Sequence, residues 1–149
     1  MNCLIVGPPS QTQALCKALS AEPAVHGRCT TVRLMTLAQR HLLYSTPDLV
    51  VVVGIHDRLA LQRFSAMVDG LGCDQFLVES ADADFAVVRH AGEAPFARDI
   101  AAAGLDTALV EEAVRMKSSR DIRARLHAVQ NAGRDAHPRG ARLASAFSR

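Results

Sequence analysis

Few residues in this chain have the type and spacing for chemistry, and most of them stand at the ends of apolar runs. Gly7-Pro8-Pro9-Ser10 follows the run Cys3-Leu4-Ile5-Val6 and offers the glycine and hydroxyl of a phosphate loop. Neither GxxxxGK[ST] nor GxGxxG is present, and the two prolines remove N–H groups that would cradle a phosphate. Ser10 lacks the context of a nucleophile elbow and reads as a helix cap. His56 and Asp57 follow the run Leu49-Val50-Val51-Val52-Val53 and Gly54. His56 could act as ligand or base, yet no second His, Cys or carboxylate is placed beside it at a ligand spacing, so it reads as a loop or cap histidine. Asp57 reads as the cap of the next helix.

The four cysteines, Cys3, Cys16, Cys29 and Cys73, show neither CxxC pairing nor a partnered histidine, so no zinc site is expected. Dispersed reduced thiols fit a cytoplasmic protein, with Cys3 and Cys16 as small apolar filler on a strand and a helix. Trp is absent and Tyr44 is the single tyrosine, which leaves little for stacking on nucleic acid or sugar. No stretch reaches about 18 uninterrupted apolar residues, and no basic region precedes the first apolar run, so neither a membrane span nor a signal peptide is expected. No cofactor, metal or nucleic-acid partner is expected.

The overall charge of +2 conceals an asymmetry. Residues 113–149 carry nine Arg or Lys against Asp121 and Asp135, a net +7, which leaves residues 1–112 at −5. A solvated helix face followed by a linker accounts for such a run; an acidic partner or a membrane surface is the sharper alternative.

At 149 residues the chain holds one domain and a tail, 1–130 and 131–149. Short β-branched runs alternate with helical periodicity. The run 2–6 predicts a strand, then a helix with Ala14, Leu15, Ala18 and Leu19 inward, ended at Glu22-Pro23. Residues 29–34 predict the second strand, and Thr36 the cap of a second helix over 37–43. Residues 48–53 predict a central parallel strand, and Asp57 opens a third helix with Leu59, Phe64, Met67 and Val68 inward. Residues 75–80 could be a strand or a helical turn, and 85–88 could be the fourth strand itself. Phe96, Ile100 and Ala103 suggest a fourth helix ended at Gly104. Residues 105–111 suggest a fifth strand, and Val114, Ile122, Leu126 and Val129 the apolar stripe of a last helix. Five β-α repeats predict a three-layer, doubly wound α/β fold with a parallel five-stranded sheet ordered 2-1-3-4-5. The segment "NAGRDAHPRGARL" reads as a linker.

In such a sheet ligands bind at the carboxyl ends of the strands, beside the switch between strands one and three. There "PDLVVVVG" resembles the third strand of response-regulator receivers, which ends in the phosphoacceptor aspartate. Here that position is Val53 or Gly54. Gly7-Pro8 replaces the acidic pair that helps such domains hold Mg²⁺, Arg89-His90 stands where Ser or Thr is expected, and Glu111-Glu112 where Lys is expected. The resemblance implies a receiver stripped of its phosphorylation chemistry. Asp57 lies too far beyond the strand to substitute.

Residues 94–114, "APFARDIAAAGLDTALVEEAV", are similar to a segment of TadZ/CpaE-type pilus-assembly proteins, and "GARLASAFSR" resembles the first strand of the ATPase domain in that family. The resemblance implies an atypical receiver joined, beyond Arg149, to a ParA/MinD-like ATPase that marks the cell pole and recruits the tight-adherence (Flp) pilus machinery. Residues 73–84 are longer than a receiver needs. The implied function is an interaction or dimerisation module, with a homodimer or other pilus-assembly proteins as partners and recruitment to the cell pole or the inner-membrane machinery. Its surface is expected on the fourth helix, fifth strand and fifth helix, where Arg98, Asp99, Asp106, Glu112 and Arg115 offer charges of both signs. The alternatives are a small-ligand binder or enzyme of flavodoxin-like fold using the crevice near Gly7 and Gly54, and a stand-alone signalling adaptor.

Overall fold

The computed structural model describes residues 1–26, 28–81, 85–90, 96–99 and 104–135. Its centre is β3 (Leu49–Val52), a run of branched side chains that is buried throughout. A strand covered on both faces has no solvent side on which to place polar residues, which is why the run does not alternate. β1 (Asn2–Val6) lies beside it in parallel with Cys3 opposite Leu49, and β2 (Arg28–Val32) flanks β1 with Cys3 opposite Cys29. β4 (Asp74–Ala81) completes the parallel part on the other side of β3.

The crossovers distribute helices to both faces. α1 (Pro9–Ala21) packs Leu15 and Leu19 on Cys3, Ile5, Leu49, Val51 and Val53. α2 (Met35–Leu42) and α3 (Arg58–Gly70) cover the opposite face, where Ala38, Leu42, Leu61, Phe64 and Val68 meet Leu4, Val6, Val50, Val52 and Leu77. Phe64 and Phe76 are fully buried, one in each core, and side chains of this size each contribute about 2–3 kcal/mol by leaving water. The three-layer α/β expectation is met in this part, with some inward positions shifted. Leu59 is exposed, and α1 and α2 begin after Pro8 and Leu34, so Ser10 and Thr36 lie within their helices and do not cap them.

The far side of the sheet departs from the expected pattern. Both ambiguous segments are strands, and β5 (Phe85–Arg89) returns antiparallel to β4, with Val78 opposite Val88. Only residues 82–84 separate the two strands. A parallel return needs a dozen or more residues, so the connection length forces the reversal. β6 (Phe96–Asp99) then pairs antiparallel with β5, where a fourth helix was expected. Ile100 and Ala103, assigned to that helix, lie outside the described residues. The sheet is therefore six-stranded and mixed, ordered β2-β1-β3-β4-β5-β6, in place of five parallel strands.

Residues 105–111, expected as the fifth strand, form the first turns of α4 (Gly104–Asp135). Ala108, Leu109, Glu112, Ala113 and Met116 recur at helical spacing and are all buried, and Leu109, Ala113 and Met116 join α1 in covering the same sheet face. The chain divides into two compact units, Met1–Lys117 and Ser118–Arg149. α4 contributes to both. In the second unit Ile122, Leu126 and Val129, expected as a buried stripe, are 58, 57 and 70% exposed. Most of the expected linker, 136–149, lies outside the described residues.

Two glycines separate close packing from simple chain freedom. A Cβ on Gly7 would stand 2.2 Å from the Val53 carbonyl oxygen, at a φ of +152° that side chains rarely adopt, whereas one on Gly70, inside α3, would meet nothing within 4 Å. Gly7→Ala is expected to cost about 2 kcal/mol or more, and Gly70→Ala to stabilise by about 0.5–1 kcal/mol, as measured by urea unfolding.

Candidate functional site

The carboxyl ends of β1 and β3 meet where a doubly wound sheet places its ligands. Val53 N–H donates to the Val6 carbonyl and Gly7 N–H to the Val32 carbonyl, each at 3.0 Å, so the backbone ladder extends into both turns. Val53, one candidate for the acceptor position, is 2% exposed and belongs to the core under α1. Gly54, the other, has φ +66°; a Cβ there would approach Gln11 Oε1 to 2.6 Å and Pro8 Cδ to 2.9 Å. A side chain at Gly54 would therefore crowd Gln11 and Pro8.

A cleft of about 210 Å³ remains beside these turns, lined by Gln11, Val53, Gly54, His56, Val78, Glu79 and Leu105. An adjoining hollow of about 270 Å³ shares His56 and Glu79 and adds Arg58, Leu61 and Val87. Among the described residues lining the two, Glu79 is the sole carboxylate, and its Oε1 lies 3.2 Å from Arg89 Nε. His56 has gained a companion that sequence spacing did not reveal, because Glu79 comes from a strand more than twenty residues away. Asp57 is occupied as expected: its Oδ1 accepts from Leu59 N–H and Ala60 N–H, both at 3.0 Å, at the N-terminus of α3.

The expected interface residues do not form a helix–strand–helix surface. Arg98 and Asp99 lie on β6, Asp106 is exposed in the first turn of α4, and Glu112 and Arg115 lie further along that helix. Glu112 is buried and gathers Arg98 and Arg115 from this set. Arg98 reaches it at 3.5 Å while donating to Glu111 at 2.6 Å, Arg115 Nε donates to it at 2.7 Å, and His90 Nε2 lies 3.4 Å away. His90 is itself buried, edge-on to Phe76, with Nδ1 3.2 Å from the Gln75 carbonyl oxygen. This cluster ties α4 to β5 and β6. Arg98, mostly buried, is therefore committed within the chain, whereas Arg115 reaches Glu112 from the surface. The sequence signal was present: Glu112 falls on the apolar face set by Leu109, Ala113 and Met116, where a carboxylate requires partners.

No helix among the described residues is long and apolar enough to cross a membrane. Set against known proteins, the chain matches no family model, no curated protein and no solved structure.

Incubation with acetyl phosphate and Mg²⁺ is expected to leave the chain unlabelled, by intact mass. Asp57→Ala should lower stability by about 1 kcal/mol, the value of a lost cap. Glu112→Gln should cost about 2 kcal/mol, because it leaves buried partners uncompensated, while Arg115→Gln, whose own side chain is 60% exposed, should cost less than about 1 kcal/mol. Urea unfolding of the two variants separates a buried anchor from a surface ion pair.

Proposed function

We propose that this chain is a receiver-like interaction module without phosphorylation chemistry, which works by self-association. The observation that carries the reading is the row of Ile122, Leu126 and Val129, each more than half exposed on one stretch of α4. Single exposed apolar residues are ordinary, but three at spacings of four and three form a helical seam. Most helical stability comes from burying an apolar face, and a partner on this seam would supply that burial for the end of α4.

A second copy suits the flanking residues. In a parallel pair with Ile122, Leu126 and Val129 at the seam, Ser118 faces the partner copy's equivalent of Arg123, and Arg125 that of Gln130, so no like charges are opposed. The packed turns at Gly7 and Gly54 support the same reading from the other side, since they leave the usual signalling pocket without an acceptor. The resemblance of residues 94–114 and 140–149 to TadZ/CpaE-type proteins extends the proposal. In that setting the module would position a ParA/MinD-like ATPase at the pilus-assembly machinery. A second reading rests on the 210 Å³ cleft, whose Gln11, His56 and Glu79 could orient a small polar ligand.

Sedimentation equilibrium tests the first reading. The chain is expected to dimerise reversibly, and Leu126→Asp to weaken the dimer by about tenfold or more, a change of about 1.4 kcal/mol. The urea-unfolding midpoint of the Met1–Lys117 unit should be unchanged in that variant. A strict monomer at high concentration, or an unchanged dimer in the variant, overturns the assignment of this surface.

A further inference from the structure

Three of the four cysteines, far apart in the sequence, come together between α1 and the β2 edge of the sheet. Cys3 on β1 and Cys29 on β2 are register partners in a parallel pair, so their side chains leave the sheet on the same face. Neighbouring strands lie about 4.8 Å apart, inside the range of Cα separations a disulfide spans. Cys3 Sγ–H points at the Met1 carbonyl oxygen at 4.0 Å. Cys16, on α1 above them, also contacts Cys29, whose Sγ–H points at the Cys16 carbonyl oxygen at 3.8 Å, and Ser20 Oγ lies 3.9 Å from the same sulfur. Cys3 is buried, while Cys29 is half-buried on an edge strand whose neighbouring residues are mostly exposed. Cys73 lies in the other core.

We propose that Cys3 and Cys29 form a redox-responsive thiol pair, which a hydroperoxide converts into a disulfide joining β1 to the sheet edge. The neighbouring Cys29 thiol lowers the Cys3 pKa against the opposing effect of burial, and the neighbouring Cys3 sulfur, then burial, raises that of Cys29. The thiolate form is thus favoured at Cys3 over Cys29, while Cys29, on the edge strand, is the more exposed of the two sulfurs. One sulfur attacks the peroxide, the O–O bond breaks, and a sulfenic acid forms as hydroxide leaves and takes up a proton. The second sulfur then displaces the sulfenic hydroxyl. An Sγ–Sγ bond forms, both S–H bonds are lost, and in sum two thiols are oxidised by two electrons while one hydroperoxide is reduced to two waters, or to water and an alcohol. Among the described residues no three His, Cys, Asp or Glu side chains are arranged to hold a metal ion. Oxidation is therefore the chemistry this cluster offers.

The test treats the fully reduced chain with hydrogen peroxide, blocks remaining thiols and maps peptides without reductant. The expected product has a mass lower by two hydrogen atoms, a peptide linking Cys3 to Cys29 that dithiothreitol releases, and a Cys73 that still alkylates. Cys16→Ser should preserve the link, and Cys29→Ser should slow peroxide consumption by about tenfold or more. The oxidised chain should melt at a higher temperature, because the bond closes residues 3–29 in the unfolded state. Four thiols that remain alkylatable under peroxide sufficient to oxidise free glutathione overturn the proposal. So do a Cys16–Cys29 link and a link only between separate chains. The wild-type map decides even if a variant fails to fold.

Discussion

Between the carboxyl ends of β1 and β3 there is space for backbone and for nothing more. A side chain at Gly7 would strike the Val53 carbonyl, and one at Gly54 would strike Gln11 and Pro8. Everything at this end of the sheet follows from that closeness. The ladder continues through Val53, and the cleft beside these turns is lined from the far side by Glu79 and Leu105.

Legibility in the sequence followed how local the cause was. The valines of β3, the stop at Glu22-Pro23 and the Asp57 cap were readable because each rests on neighbouring residues. β6 and the first turns of α4 were not, because short runs such as "FARD" and "TALV" suit either element, and contacts with β5 and with the Phe76 core select one. One clue was overlooked: three residues between "LVESA" and "FAVVR" cannot support a parallel crossover. The acceptor position was legible as an absence, whereas the proximity of His56 to Glu79, and of Cys3 to Cys29, depends on strand order and could not be read from spacing.

The antiparallel end replaces a helix with two more strands and so changes what holds the last helix in place. In a wholly parallel sheet the final helix is fixed by the strand that feeds it. Here α4 is instead held partly by apolar contacts through Leu109, Ala113 and Met116 and partly by the buried carboxylate of Glu112. Apolar packing tolerates small sliding, but a charge in the interior is satisfied in one register only. Glu112 therefore fixes where the helix sits along β5 and β6, in addition to any stability it contributes.

Strand order also bears on how the chain emerges during synthesis. β1 is made first, yet it occupies an interior place, with β2 on one side and β3 on the other. Its apolar residues lack both neighbours until the chain has been extended through Val52, and α3 follows later still. β5 and β6, by contrast, each close onto the strand just completed, a step that takes on the order of microseconds. The first of the six strands to be made thus waits for its second neighbour until β3 is complete, and the last-made strands are settled almost as they appear.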